Sequence, residues 1–312
     1  MIIGILRHGE LKYAEKELLK IGRKRGHQMK LINPLTTQLS IGIKPEIDIL
    51  ISRAEINSWE EPVMDAYCRV LDFYEFWNIP IINGKQATLN AQDKFRTHVL
   101  TNMVGIPTPK TEIKHNISNL RKRETNKFKE PYIIKKVYGG RGEGVYLINN
   151  ELDLKRIEEF FSQEEPFIIQ EYLNLEKNKQ GGFKDMRLWV CRNEFTEKPE
   201  FVGGFYRNSN KNNFRTNLCT GGWITKIKKI NPKISKIAEK SLEAINADVA
   251  GIDVAISQEG KIYLIEINIS FDSTEEMRKI VGCSIEEKIL NLAENRVKKI
   301  KIIEQSPAVF NQ

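Results

Sequence analysis

Cysteine is scarce in this chain: Cys68, Cys191, Cys219 and Cys283 lie far apart with no C-x-x-C spacing, which excludes a disulfide framework and a cysteine zinc site. With 11 Pro and 20 Gly in 312 residues, the composition is too unbiased for a collagen-like or low-complexity polypeptide. No apolar run approaches the ~18 residues of a membrane span, and the start, Met1 to Arg7, lacks a basic segment followed by an apolar one. Neither insertion nor secretion is therefore expected, no membrane partner is indicated, and a cytoplasmic, reducing location is the default. Long blocks of one charge are also missing. The excess of 49 Lys and Arg over 41 Asp and Glu is spread along the chain; stretches 20–30, 121–129 and 296–301 are locally basic but mixed with polar or apolar residues. They read as solvated faces, so no nucleic-acid partner is expected, and the mild positive balance favours anionic substrates. The four histidines (His8, His27, His98, His115) fall outside every motif described below, so no histidine-based acid-base or nucleophilic scheme is supported. Only His8, in the loop after the first apolar run, is a candidate for a substrate contact.

What is present suits a globular enzyme-sized protein. A chain of 312 residues with 40% hydrophobic and 29% charged residues has material for two or three cores. The first ~90 residues alternate short β-branched runs (2–6, 29–32, 47–51, 79–82) with helical patterns (13–24, 62–77), a βαβ rhythm that predicts a small parallel sheet covered by helices. No G-x-G-x-x-G follows the first strand, so a dinucleotide site is not supported there. Asn90 reads as the N-cap of a connector helix over 91–104, ending at Gly105 before a proline. Beyond it, strands are predicted at 108–113, 132–136, 144–148 and 167–171 with a helix at 152–161, then strands at 186–192, 201–207 and 262–267 and a helix at 233–246.

Two segments carry chemistry. In Lys135-Lys136-Val137-Tyr138-Gly139-Gly140-Arg141-Gly142-Glu143-Gly144, a strand bearing lysine runs into a loop with four glycines in six residues. Glycines let backbone N-H groups approach phosphate oxygens while a lysine neutralises charge. A Walker motif is excluded because no Gly-Lys-Ser/Thr opens a helix here; taken alone, the segment reads equally well as a tight glycine-rich hairpin. In the second, Asp253 and Glu266 flank a turn near Gly260 at similar distances, so an antiparallel hairpin would bring their carboxylates together. Strand alternation would place Glu266 and Asn268 on one face and Ile265 and Ile267 on the other. Hard oxygen donors of this kind suit magnesium, shared with substrate phosphates.

With Ile168-Ile169-Gln170-Glu171-Tyr172, Lys184-Asp185-Met186-Arg187, Phe214-Arg215-Thr216-Asn217 and Gly221-Gly222 added in order, the sequence resembles the ATP-grasp ligases, in particular the RimK-like glutamate ligase branch, over residues 90–295. The resemblance implies an α/β (α+β) chain in which an ATP-grasp fold follows a small parallel-sheet βαβ domain. Its divisions would be a pre-ATP-grasp domain at 1–90, a central subdomain with the phosphate loop at 91–170 and a C-terminal subdomain with the magnesium site at 171–312. It implies that Lys94, Lys135 and the loop glycines Gly139, Gly140 and Gly142 meet the phosphates of ATP, Lys135 touching the adenine edge as well. Glu171 and Tyr172 would form the hinge at adenine, Asp185 would lie near the ribose, and Arg215, Thr216 and Asn217 at the phosphate end. Asp253, Glu266 and Asn268 would hold Mg2+, with Mn2+ as the alternative ion, and Arg187 and Arg215 an acyl phosphate or a substrate carboxylate. The reaction implied is ATP-dependent amide formation that adds an amino acid, L-glutamate, to a cofactor tail, a protein C-terminus or a small amine. A catalytically silent nucleotide-binding regulator on the same scaffold is the alternative, and a homo-oligomer is left open. RimK-like sequences commonly follow Glu-x-Asn with a Ser-Pro-Gly type turn. Here Ile269-Ser270-Phe271-Asp272-Ser273 follows, which bears on the acceptor and leaves the nucleotide and metal residues intact.

Overall fold

A computed structural model describes residues 1–55, 62–115, 117, 128–140, 142–161, 165–211 and 213–305. Most of the basic stretch 121–129 and Arg141 of the glycine loop fall outside the described residues. The N-terminal segment forms β1 (Ile2–Leu6), α1 (Tyr13–Lys24), β2 (Gln28–Ile32), β3 (Ile49–Ser52), α2 (Val63–Phe76) and β4 (Ile81–Ile82). Its strands make a parallel sheet in the order β2-β1-β3-β4, as the βαβ rhythm predicts. Both faces are covered: Ile3, Ile5, Ile49 and Ile51 pack with α1, while Leu6, Ile32 and Leu50 pack with Val70, Leu71 and Tyr74 of α2. Near-continuous apolar strands are the signature of such two-sided burial.

The connector differs from expectation. Two helices, α3 (Lys85–Gln92) and α4 (Lys94–Met103), replace the single predicted one. They break at Asp93, whose backbone is extended and whose carboxylate accepts from Arg96 N-H at 2.9 Å. Asn90 lies inside α3, buried, and its amide donates to the Ile245 carbonyl at 3.1 Å. An aspartate three residues before a free helical N-H caps as well as asparagine does, and the polar sequence of α3 hid its helical period.

The middle of the chain builds an antiparallel sheet in the order β5-β8-β6-β7 from β5 (Thr111–Lys114), β6 (Tyr132–Lys136), β7 (Val145–Ile148) and β8 (Phe167–Glu171), with α5 (Glu151–Ile157) on one face. Tyr132, Ile134, Ile148, Phe167 and Ile169 pack on Leu154 and Ile157 of that helix. The opposite face carries Ile133, Lys135, Val145 and Gln170, which line a cleft.

The last sheet runs β11-β10-β9-β12-β13, made from β9 (Lys184–Arg192), β10 (Pro199–Asn208), β11 (Trp223–Lys226), β12 (Val249–Ile256) and β13 (Ile262–Asn268). One face, with Met186, Leu188, Val190, Ile252 and Val254, buries against Ile234, Ala238 and Leu242 of α6 (Pro232–Ala244). The other face has two tasks. Trp189, Cys191, Phe205 and Val249 join one core with the N-terminal sheet and with Ile289, Leu290 and Leu292 of α8 (Ile285–Gln305), which follows α7 (Glu275–Val281). Further along the same strands the face turns polar and opens into the cleft. No helix among the described residues is long and apolar enough to cross a membrane.

Candidate active site

Register places the chemistry. Arg187 on β9 stands opposite Phe205 on β10 and Asp253 on β12, and Asp253 stands opposite Glu266 on β13. One row across four strands thus carries a guanidinium and two carboxylates on the face away from α6. Two residues along β9, Asp185 pairs with Arg207 of β10. The charges are bonded in a chain: Arg187 forks onto Asp253 through Nε and Nη2, both 2.7 Å. Arg207 forks onto Asp185 at 2.8 and 2.6 Å and reaches Asp253 at 2.9 Å. Burial alone would push the Asp253 carboxyl up, but the Arg187 and Arg207 guanidiniums outweigh it and hold it below the ordinary carboxylate range, ionised. Thr216 donates its hydroxyl to Asp185 at 2.6 Å, so the Asp185 oxygens face protein donors.

The alternation expected along β13 is broken. The register shifts between Asp253 and Val254, which pair with Glu266 and Leu264, leaving Ile265 as an extra residue. Leu264 and Ile267 enter the α6 core while Ile265 lines the cleft, contrary to the reading that put Ile265 opposite Glu266. A β-bulge re-aims side chains in this way, and here it gives the cleft an apolar wall beside its carboxylates. Asn268, opposite Gly251, has a buried Nδ2 with no partner among the described residues.

Across the cleft stand the lysines and the glycine loop. Lys94, first residue of α4, donates to the carbonyls of Gly139 at 2.6 Å and Val137 at 3.3 Å and lies 3.7 Å from Glu266. It therefore ties the loop to the carboxylate row. Lys135, on β6, has no hydrogen bond or ion pair among the described residues. Burial is the main cause that brings its ammonium down to about 8; the Lys94 charge adds to it, and Glu266 and Asp253 oppose it. Gly142 has φ of +78°, and a Cβ there would come within 2.9 Å of Asn217 Oδ1, so glycine is required by conformation and by closeness. Arg215 donates Nη2 to the Val145 carbonyl and leaves a buried Nε unpartnered among the described residues. Glu171 accepts from Lys110 N-H at 2.8 Å, and Tyr172 meets Phe183 edge-on.

Two cavities meet here. One, of about 140 Å3, runs from Glu171 and Tyr172 past Ile133, Lys135, Asp185 and Thr216 to Glu266. The other, of about 460 Å3, lies between Lys12 and Glu55 of the N-terminal unit, Arg187, Asn268 and the 269–274 turn. Lys94, Gly139, Gly140, Arg207, Asn217 and Glu266 line both. The sequence-predicted residues are thus gathered around two connected spaces, with Arg187 and Asn268 on the second alone. His8 borders neither of them.

Sequence reading missed Arg207, His98 and Gln170 as cleft residues, and Arg53. Arg207 shares the alternate positions of β10 with Phe205, a signal that becomes legible only once the register with Asp185 is known. Arg53 is buried, pairs with Glu15 at 2.8 Å and donates to the carbonyls of Ile269 and Phe271, anchoring the turn after Asn268 to the N-terminal unit.

Comparison with known proteins agrees with this architecture. Residues 91–293 match the RimK-like ATP-grasp domain. The chain is 30% identical to the coenzyme gamma-F420-2:alpha-L-glutamate ligase of Methanococcus maripaludis over 78% of this chain and 80% of that protein. It is 26% identical to a probable alpha-L-glutamate ligase 1 of Shewanella amazonensis over 86% and 88%. Among solved structures, the D-alanine-D-alanine ligase of Coxiella burnetii superposes with a TM-score of 0.69 at 12% identity, covering 98% of this chain and 97% of that one. The ATP-grasp ligase PsnB complexed with a precursor variant, Mg and ADP gives 0.68 at 15% identity, covering 95% and 98%. The chain belongs to the RimK-like ATP-grasp family.

Proposed function

We propose that this ATP-dependent carbon-nitrogen ligase adds L-glutamate to a carboxylate-bearing acceptor, binding ATP in the smaller cavity and the acceptor and amino acid in the larger. The observation that carries the reading is the shared wall: the residues common to both cavities are a lysine, an arginine, two glycines, an asparagine and a glutamate, which include the cationic, backbone and carboxylate groups that phosphoryl transfer needs between nucleotide and acceptor. The curated relatives named above as alpha-L-glutamate ligases support glutamate as the added residue.

Magnesium suits the donors present. Asp253 and Glu266 face each other in register, and Asn268 lies two residues beyond Glu266 on the same strand, its amide Nδ2 buried without a partner among the described residues. No group of three or more His, Cys, Asp or Glu able to hold a metal occurs among the described residues, so the nucleotide phosphates would complete the shell. When bound, the ion neutralises charge gathering on the transferring phosphoryl oxygens. In this reading Lys135 and Lys94 bind the phosphates, and the Gly139 to Gly144 backbone covers them and excludes water. The acceptor carboxylate oxygen bonds to the γ-phosphorus as ADP leaves, and Arg187 and Arg215 hold the acyl phosphate through the guanidinium nitrogens that their bonds to Asp253 and to the Val145 carbonyl leave over. The glutamate amine then attacks the acyl carbon, phosphate departs and an amide remains. Incubation with ATP, magnesium, L-glutamate and a cell extract tests this: products heavier by one glutamate residue are expected, and ADP release that no amino acid or acceptor stimulates would favour the silent regulator.

Two predictions follow from the lysine and arginine on opposite sides of the phosphates. Lys135→Ala should raise KM for ATP about tenfold, because it meets charge that ATP carries before reaction. Arg215→Ala should chiefly lower kcat. The reverse pattern would reverse the nucleotide's orientation. Because the free Lys135 ammonium titrates near 8, polyphosphate binding should restore its proton. ATP affinity should fall as pH rises through 8, and calorimetry at pH 8.5 in two buffers of different ionisation enthalpy should show proton uptake that Lys135→Met abolishes.

A further inference from the structure

The geometry points to Asp272 as the carboxylate that receives the ammonium group of the incoming amino acid, so that the larger cavity selects an α-amino diacid over the same diacid without its amine. This rests on the reading of the larger cavity as the acceptor and amino-acid site. Asp272 lies four residues after Asn268, in the Ile269-Ser270-Phe271-Asp272-Ser273 turn that stands where a Ser-Pro-Gly type turn is common. It lines the larger cavity and not the smaller.

Charge pairing singles it out. Three carboxylates line the larger cavity: Glu55, Glu266 and Asp272. Glu55 is matched by Arg7 and Lys12, both at 2.6 Å, and Glu266 by Lys94 at 3.7 Å. Asp272 has no ion-pair partner among the described residues. Its Oδ1 accepts from the N-H groups of Ala14 at 3.3 Å and Ser273 at 2.9 Å. Ala14 belongs to the first turn of α1, where the helix supplies only about half a positive charge. Oδ2 accepts from no protein group and is absent from the buried unpartnered side-chain atoms, so it is open to the cavity. An open carboxylate oxygen without a cation suits a charged N-H donor, and Lys12, Arg187 and Arg207 on the same cavity suit the carboxylates of a diacid. An amino diacid meets both signs.

The turn is braced, so that this oxygen keeps its place. Arg53 donates to the Ile269 and Phe271 carbonyls, and Arg7 to Ser270 Oγ at 3.2 Å. The Ser273 hydroxyl bonds to buried Glu286, and Thr274 caps α7. A group already fixed by its neighbours loses little further freedom when a ligand meets it.

The test is calorimetric binding of L-glutamate and of glutarate, which keeps both carboxylates and lacks the amine, to protein saturated with magnesium and a non-hydrolysable ATP analogue. Asp272→Asn removes the charge and keeps an oxygen for the Ala14 and Ser273 N-H groups, so the turn retains its bonds. The wild type should prefer glutamate by about tenfold or more, and Asp272→Asn should bring the ratio near one by weakening glutamate. Glutarate should bind the variant at least as tightly as the wild type, since an opposing negative charge is gone; damage to the site would weaken both ligands. Asp272→Ser should collapse the ratio as well, which keeps the test decisive if Asp272→Asn does not fold. An unchanged ratio in folded variants, or equal weakening of both ligands, would reduce Asp272 to a tie between the turn and α1 and overturn the proposal. A wild-type protein that binds neither ligand would overturn the reading of the larger cavity as a glutamate site.

Discussion

Glu266→Gln is expected to leave a folded protein with less than a tenth of the wild-type kcat. The substitution is isosteric and Glu266 is partly exposed to the cleft, with Lys94 at 3.7 Å as its ion-pair partner. Lys94 keeps its bonds to the Gly139 and Val137 carbonyls, so the loop stays tied. What disappears is one of the two carboxylates in register that would hold the cation between nucleotide and acceptor. The comparison is Glu259→Gln, in the exposed turn of the same hairpin, which should be nearly silent. Steady-state kinetics at saturating ATP and magnesium, with circular dichroism as the control for folding, decide the matter. Retention of more than a tenth of kcat, a barrier change under about 1.4 kcal/mol, would remove Glu266 from the metal site.

Arg207→Met should be the most destabilising single change in the cleft, and its cost should depend on pH. Arg207 is the only side chain bonded to both Asp185 and Asp253 among the described residues, and all three are buried. Removing it leaves Asp185 with the Thr216 hydroxyl and Asp253 with Arg187 alone. Deleting one partner of a buried ionic cluster costs about 3 kcal/mol near neutral pH, more than any surface pair contributes. In the wild type the depressed Asp253 carboxyl stabilises the fold above the ordinary carboxylate range, a contribution lost as pH falls through it. In the variant, burial is opposed by one guanidinium instead of two, so the carboxyl moves upward and protonation relieves the strain. The stability gap between variant and wild type should therefore narrow from pH 7 to pH 5 in urea unfolding. A gap that is constant or widens with acid would mean that packing, and not uncompensated charge, is what Arg207 supplies.

The sequence by itself determined the elements whose physics is local. Period-two and period-3.6 patterns placed α1 and β6 at their observed limits, because an amphipathic helix and an apolar strand announce the face they bury. The hairpin pairing of Asp253 with Glu266 was legible from their spacing about the turn at Gly260, and the lysine and glycine loop from composition alone. Tertiary structure decided the rest. Whether Asn90 or Asp93 caps the connector depended on the Ile245 carbonyl that occupies the Asn90 amide, a partner 155 residues away. The bulge at Ile265 was invisible because one extra residue changes no local propensity; it appears only where β13 must meet both the α6 core and the cleft. Arg207 looked like any strand arginine until the register of β10 on β9 set it against two buried carboxylates.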